Sequence, residues 1–332
     1  MSVKNARLQE VARAAGVSYI TAWRALNDPD LVSEKTRAKV SRAVEDTGYL
    51  PNAVARSLVS ASSGVIGAIV PTLEDSIFAD TIQGVADVLH SAGQELLVGL
   101  SSYDSRREAE LIRAFMGRQI DGLILTGRNH EADVQRLLKS GRAAVVEVWD
   151  YGEPAIDMLV GFSNTEMARA VTAFLCTKGY RHIAFVTVSG RRRGRERLAG
   201  YRKELAARNL SIDPALEITC APTLSGGGDA LDHLMALDRP PDAIFFNGDT
   251  IAIGAHLRGR AKGLTYPADV ALVGVHDLEI ARHVDPPLTS VRIPRYRIGE
   301  QAAKLLLARG QGKSDAPEKQ NLGFEIVERG TT

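Results

Sequence analysis

The chain is expected to fold as an N-terminal all-α helix-turn-helix head followed by an α/β body of two doubly wound parallel-sheet subdomains. Three observations predict this. Two short amphipathic helical patterns joined by a glycine turn lie near the start, in Leu8–Asn27. Beyond a Ser/Gly linker at 60–64, short continuous apolar runs alternate with helical patterns. That alternation then occurs a second time, and continuous apolar strands between helices mean sheets covered on both faces.

In the head, Leu8, Val11, Ala12 and Ala15 recur at i, i+3, i+4 and i+7 and give the first helix one apolar face. Gly16 ends it, because glycine takes a left-handed conformation without steric cost. Ser18 is placed to cap the next helix by accepting from its free N–H groups. Ala22, Ala25 and Leu26 then pack inward and leave Tyr19, Ile20, Trp23 and Arg24 for the outer face. Such a motif offers its second helix to a DNA major groove, although an ordinary helical hairpin shares the pattern. Ser33 caps a third helix whose buried face is Val40, Ala43 and Val44, with Gly48 at its C′ position. The run from Pro51 to Leu58 is helix-compatible but only about two turns long. A helix that short is marginal in water, so it is expected to be ordered only beside a partner.

The helix-turn-helix, the Val32-Ser33…Thr36 helix start, Gly48-Tyr49-Leu50-Pro51-Asn52 and Ala55-Arg56-Ser57-Leu58 together resemble the lac-repressor family of bacterial regulators. The resemblance implies that the short segments of a dimer pair as hinge helices in an operator's minor groove. Leu58 falls at the position of the apolar wedge that kinks the DNA. Tyr19, Ile20 and Arg24 fall at or near the family's base-reading positions, and Asn52, Ala55 and Arg56 at its hinge contacts. Ser18, Thr21, Asn27 and Ser33 are expected to position the phosphate backbone. Trp23 departs from the small hydroxyl residue usual at its position.

Charge is distributed in keeping with this. Through Ser60 the chain has nine Lys and Arg against six Asp and Glu, a net +3, and the remainder is −2. The excess of base at the N-terminus favours nucleic acid there. Cys176 and Cys220 make no disulfide framework and fit a reducing compartment. The start lacks an apolar signal segment and no run approaches the ~18 apolar residues of a membrane span, so a soluble cytoplasmic protein is expected. Enzyme signatures are missing. Ser225-Gly226-Gly227-Gly228 lacks the Lys-Ser/Thr of a P-loop, the histidines are scattered without an HExxH pair, and there is no zinc pattern or G-x-S-x-G elbow. No cofactor and no metal is expected. A sugar-binding protein without a DNA role is the rival reading.

In the body, strands are expected at 65–70, 95–100, 122–126 and 144–149, with helices around 78–91, 105–117 and 131–140. The second series has strands at 182–188, around 218–222, at 243–247 and at 270–275. Ser163 and Glu166 form a capping-box pattern at the entry to the second unit. Ligands of such sheets sit beyond the carboxyl ends of the strands, here between the units. The family resemblance continues through RLAGY (197–201), FNGDTIAIGA (246–255) and LTSV (288–291), and implies a periplasmic-binding-protein-like core. It also implies boundaries: a head over 1–50, hinge and linker over 51–64, and an effector-binding and dimerisation core over 65–332. Within that core the first subdomain takes about 65–162 and 293–320, the second about 163–292 and 321–330.

Two features direct the ligand expectation toward an acid. Residues 191–197, RRRGRER, carry five arginines, and Arg197 falls at the family's ligand-binding arginine. A guanidinium fork pairs a carboxylate through two parallel bonds. The family's G-F-D-D motif reads Gly274-Val275-His276-Asp277, so a possible cation replaces an acid. Arg191, Arg193, Arg197 and His276 are therefore candidate effector contacts. Asp75, Ser76 and Phe78 after the first strand, and Arg128 and Asp249 after later ones, join them by resemblance. Asp249 is also placed to cap a helix before Thr250, and Glu147 would face an anion unfavourably. Within the family the body is most similar to the gluconate-operon repressors, through Asn27-Asp28-Pro29, Gly122–His130, Val145-Val146-Glu147, Val160-Gly161-Phe162 and Asn321–Phe324. The implied effector is gluconate or a related sugar acid, which releases a palindromic operator held by a homodimer. The reverse sign, a co-repressor, is the alternative.

Overall fold

The structure, a computed structural model, describes residues 6–49, 62–73, 76–141, 143–188, 192–312 and 318–332. Residues 1–63 and 64–332 form two separate compact units.

The head unit contains α1 (Leu8–Ala15), α2 (Tyr19–Asn27) and α3 (Glu34–Thr47). Gly16 and Gly48 terminate α1 and α3 with φ of 65° and 62°, as only glycine does without strain. The Ser18 and Ser33 hydroxyls accept from the amides of Thr21 and Thr36 at 3.1 and 3.3 Å, closing the first turns of α2 and α3. Val11, Ala12, Ala22, Ala25, Val40 and Ala43 form the core, with Leu26 and Val44 partly buried against it. Small alanines on facing helices let the three axes approach closely. The predicted hinge, Pro51–Leu58, lies outside the described residues.

The body is built on two six-stranded sheets. The first contains β1 (Val65–Val70), β2 (Glu95–Leu100), β3 (Gly122–Thr126), β4 (Ala144–Val148), β5 (Met158–Gly161) and β11 (Lys319–Asn321), in the order β11-β5-β4-β3-β1-β2. All its pairs are parallel. Helices α4 (Ser76–Ser91), α5 (Ser105–Gly117), α6 (Ala132–Ser140) and α11 (Arg295–Gly310) accompany it. The second sheet runs β12-β10-β9-β8-β6-β7. Its strands are β6 (Ile183–Val188), β7 (Glu217–Cys220), β8 (Ala243–Phe246), β9 (Ala271–Val275), β10 (Thr289–Arg292) and β12 (Glu325–Val327). Here α7 (Asn164–Thr177), α8 (Arg192–Ala207), α9 (Leu224–Met235) and α10 (Asp249–Ala261) are the connecting helices. Only β12 runs antiparallel, against β10.

Parallel register gathers the carboxyl ends of the strands at one edge of each sheet. Val70 pairs with Leu100 and Thr126 with Val148 in the first, and Val186 with Phe246 and Val275 with Val291 in the second. The strand of 144–149 stops one residue early, because Trp149 turns to φ 69°. Ser163 caps α7, accepting from the Glu166 amide at 3.2 Å. The Glu166 side chain pairs with Arg169 at 3.0 Å.

Candidate functional site

The head presents α2 outward. Tyr19 and Ile20 are 52% and 61% exposed, and Arg24, one turn on from Ile20, is exposed beside them. Ser18 shares a hydrogen bond with the Thr21 hydroxyl at 2.8 Å, and Ser33 with that of Thr36 at 2.9 Å. These serines sit where a helix N-terminus favours a phosphate. Asn27 turns back, its Nδ2 donating to the Trp23 carbonyl at 2.9 Å. Its amide closes the end of α2, which works against its expected phosphate contact. Asn52, Ala55, Arg56 and Leu58 lie outside the described residues.

The body holds a cavity of about 440 Å³ at the carboxyl ends of its strands. Ile77 and Tyr103 reach it from the first-sheet side; Arg193, Arg197, Asn247, Asp249, His276 and Leu278 reach it from the second. Arg197 is 3% exposed. Its Nε donates to Asn164 Oδ1 at 2.8 Å, and its Nη1 to the Asn247 carbonyl and Oδ1 at 2.8 and 2.7 Å. Asn247 Nδ2 in turn donates to Thr187 Oγ1 at 3.1 Å, which fixes its amide orientation. The guanidinium is therefore held in place before any ligand arrives. Gly194 permits this closeness: a Cβ there would stand 2.8 Å from Thr187 Oγ1. Arg193 carries a second guanidinium, centred 5.5 Å from the Phe78 ring and 5.6 Å from that of Trp149. Cation–π attraction places it against both aromatic faces.

His276 lines the cavity with φ 107°. Its ring meets Trp149 edge-on at 5.8 Å. Asp249 also lines it, but the carboxylate is used internally. Oδ2 accepts from the Leu278 amide at 2.7 Å and Oδ1 from Ser290 Oγ at 2.6 Å. Burial pushes its pKa up to about 7 against the lowering effect of those bonds. It stands as the first residue of α10 behind Gly248, so the expected helix cap is corrected to a clip between α10 and the 276–278 loop.

Other expected contacts are placed elsewhere. Ser76 is exposed at the start of α4, and its neighbour Ile77 faces the cavity. Phe78 is fully buried behind Arg193. Arg128 does not line the cavity: Nε lies 3.1 Å from Asp150 and Nη2 3.7 Å from Glu196, an attraction strong enough to claim the guanidinium. Glu147 is buried 3.2 Å from His130 Nε2 and accepts from the Ile156 amide at 2.8 Å. Asp75 and Arg191 lie outside the described residues. Asn164 and Asn247 went unpredicted. The signal that marks Asn247 is a polar residue directly after the carboxyl end of an apolar strand. Among the described residues no acid-histidine-cysteine group is arranged to hold a metal, and no helix is long and apolar enough to cross a membrane.

Residues 7–52 match the profile of the bacterial regulatory proteins of the lacI family, and residues 172–332 that of the periplasmic binding protein-like domain. The chain is 31% identical to the HTH-type transcriptional regulator GntR of Escherichia coli, over 100% of both chains. It is 35% identical to GntR of Pseudomonas aeruginosa, over 98% of this chain and 95% of that one. A lacI-family transcriptional regulator from Silicibacter pomeroyi superimposes with a TM-score of 0.90 at 25% identity, covering 98% of this chain and 99% of its own.

Proposed function

Because the chain belongs to the lacI family of bacterial regulatory proteins, DNA-binding transcriptional regulators and not enzymes, we propose that it is a repressor released from its operator by a sugar acid such as gluconate. The observation that carries the ligand reading is Arg197, buried in the wall of the cavity and already oriented by Asn164 and Asn247. Arg193 adds a second guanidinium to the same cavity, while the carboxylate of Asp249 is turned to Ser290 and Leu278. Fixed guanidinium groups pair a carboxylate through charge-assisted bonds. The volume lies within the range of about 300–1,000 Å³ common to small-molecule sites. The likeness to regulators named GntR supports the same branch of the family.

In this reading α2 enters the major groove and its exposed Tyr19, Ile20 and Arg24 meet base edges. One head reads one half-site, so a palindromic operator takes a homodimer. A hinge helix expected over 51–58, about two turns long, would need the partner's copy beside it to form. A ligand that shifts the subdomains separates the two hinges and weakens the hold on DNA. The test is a titration of DNA binding by the full chain with gluconate, at fixed salt because phosphate contacts make affinity salt-dependent. The duplex is one that the chain selects from a random pool. Gluconate should weaken binding, glucose should not, and Arg197→Ala should lose gluconate affinity by at least about tenfold, the scale of one charge-assisted bond. An unchanged gluconate affinity in Arg197→Ala refutes the carboxylate reading. Tighter DNA binding with gluconate refutes release.

A further inference from the structure

The loop that brings His276 to the cavity is held in an uncommon conformation. His276 has φ 107° and Asp277 φ 49°, a region that residues with a Cβ seldom enter. Its surroundings impose this. The His276 amide donates to the Val291 carbonyl at 2.8 Å, and the Asp277 amide to Ser290 Oγ at 3.0 Å. The Asp277 carboxylate is gripped by Arg292 at 2.9 Å and Arg282 at 3.3 Å. The His276 carbonyl accepts a hydrogen bond from Nη1 of Arg295.

Arg295 belongs to the other layer. It is the first residue of α11, and its Nε and Nη2 each lie 2.8 Å from Asp80 Oδ2 on α4. Those two helices are pressed together backbone to backbone. A Cβ on Gly299 would stand 1.9 Å from the Thr81 carbonyl oxygen, and one on Gly84 2.2 Å from that of Tyr296. Thr81 Oγ1 donates to the Arg295 carbonyl at 3.0 Å and accepts from Trp149 Nε1 at 3.1 Å. A single guanidinium thus joins the loop of the cavity on the second sheet to a stiff helix pair on the first.

We infer that Arg295 is the positioning residue through which an anion in the cavity moves the first-sheet subdomain. The inference rests on the effector reading above. A charge settling against the His276 ring turns the 276–277 peptide and alters how its carbonyl meets Arg295. Arg295 passes the change to Asp80, and the α4–α11 pair follows as one body. A ligand shifts an equilibrium only through interactions that differ between the two states, and this bond supplies such a difference. Arg295 is not among the residues lining the cavity, so its removal leaves the anion free to bind.

The experiment measures DNA affinity of the full chain with and without saturating gluconate, at fixed salt, for the wild type, Arg295→Met and Asp80→Asn. The ratio of the two dissociation constants is the coupling, about 5–150-fold in typical cases. Both variants should bring the ratio to within about twofold of unity, while calorimetry still records gluconate binding by each. Asp80→Asn changes a half-exposed carboxylate to its isostere and serves should Arg295→Met not fold. A ratio in Asp80→Asn within about twofold of wild type overturns the inference, as does loss of gluconate binding in that variant. A wild type indifferent to gluconate removes the effector reading and this inference together; a responsive wild type with equally responsive variants removes this inference alone.

Discussion

His130 offers a pH-dependent perturbation whose size follows from its neighbours. Its ring stands between two carboxylates, with Glu108 2.6 Å from Nδ1 and Glu147 3.2 Å from Nε2. Burial alone pushes the imidazole pKa down, but hydrogen bonds and charge from Glu108 and Glu147 outweigh it and raise the value from 6.5 to about 9. A group whose pKa is raised by folding stabilises the folded state fully below its unfolded value. That contribution is lost as the pH climbs through the folded value. At about 1.4 kcal/mol per pH unit, the charged triad contributes about 3 kcal/mol below pH 6.5 and essentially nothing above pH 9 to 10. Solvent screening takes little from this, since the Glu108 side chain is only 14% exposed. His130→Gln removes the charge and keeps one amide donor. Urea unfolding of wild type and variant, followed by far-ultraviolet circular dichroism from pH 6 to pH 10, should show a gap of about 3 kcal/mol at pH 6 that closes by pH 10. A gap that does not change with pH would mean that folded His130 is neutral, and would refute the reasoning.

Three further outcomes are expected. Arg24→Ala should relax base preference at one position of each half-site by about 1–3 kcal/mol, read from binding to a panel of single-substitution duplexes. Leu58→Ala should weaken operator binding and leave the heat of gluconate binding as in the wild type, because an apolar wedge acts only on DNA. Asp249 has the opposite pH sense to an ordinary paired carboxylate. Burial raises its folded pKa to about 7, so the folded state holds the proton more tightly and stability falls as pH rises from about 4 to about 7. Asp249→Asn should flatten that limb of the pH–stability curve; an unchanged limb would show that another group sets it.

How much of this was legible in the sequence depended on what kind of signal each element carries. The runs at 65–70, 95–100 and 122–126 became β1, β2 and β3 to the residue. β1 and β3 lie inside the sheet and are apolar because both faces are covered, while β2 at the edge keeps its apolar run behind an exposed Glu95. Lys319-Gln320-Asn321 shows no such run, yet it forms β11 by pairing with β5 at the sheet edge. β12 is likewise made a strand by its neighbour β10. In both cases pairing, not side-chain pattern, makes the strand. The site divides in the same way. Arg128 and Asp249 each follow a strand and carry charge, so sequence treats them alike with Arg197. What separates them is the partner each meets from a distant part of the chain: Asp150 and Glu196 for Arg128, Ser290 and Leu278 for Asp249. Asn164 and Asn247, neutral and short, carried no charge signal although they aim the guanidinium that does.

The arginine-rich segment is where phase matters most. Counted only as charge, residues 191–197 are a basic cluster of the kind that is usually solvated. Residues 192–197 stand on α8, where the 3.6-residue turn sorts them. Arg193 and Arg197 are four residues apart and share the face that lines the cavity. Arg192 and Glu196 are also four apart, and pair with each other at 2.9 Å, with Glu196 standing 3.7 Å from Arg128. Arg195 falls between these faces and is exposed. Among the described residues the cluster is therefore two cavity cations, Arg193 and Arg197, one ion pair, Arg192 with Glu196, and one exposed residue, Arg195. That division keeps the ligand reading from depending on the number of arginines. It depends on Arg197 and Arg193 sharing one helix face, with Asn164 and Asn247 fixing the first and Phe78 and Trp149 the second.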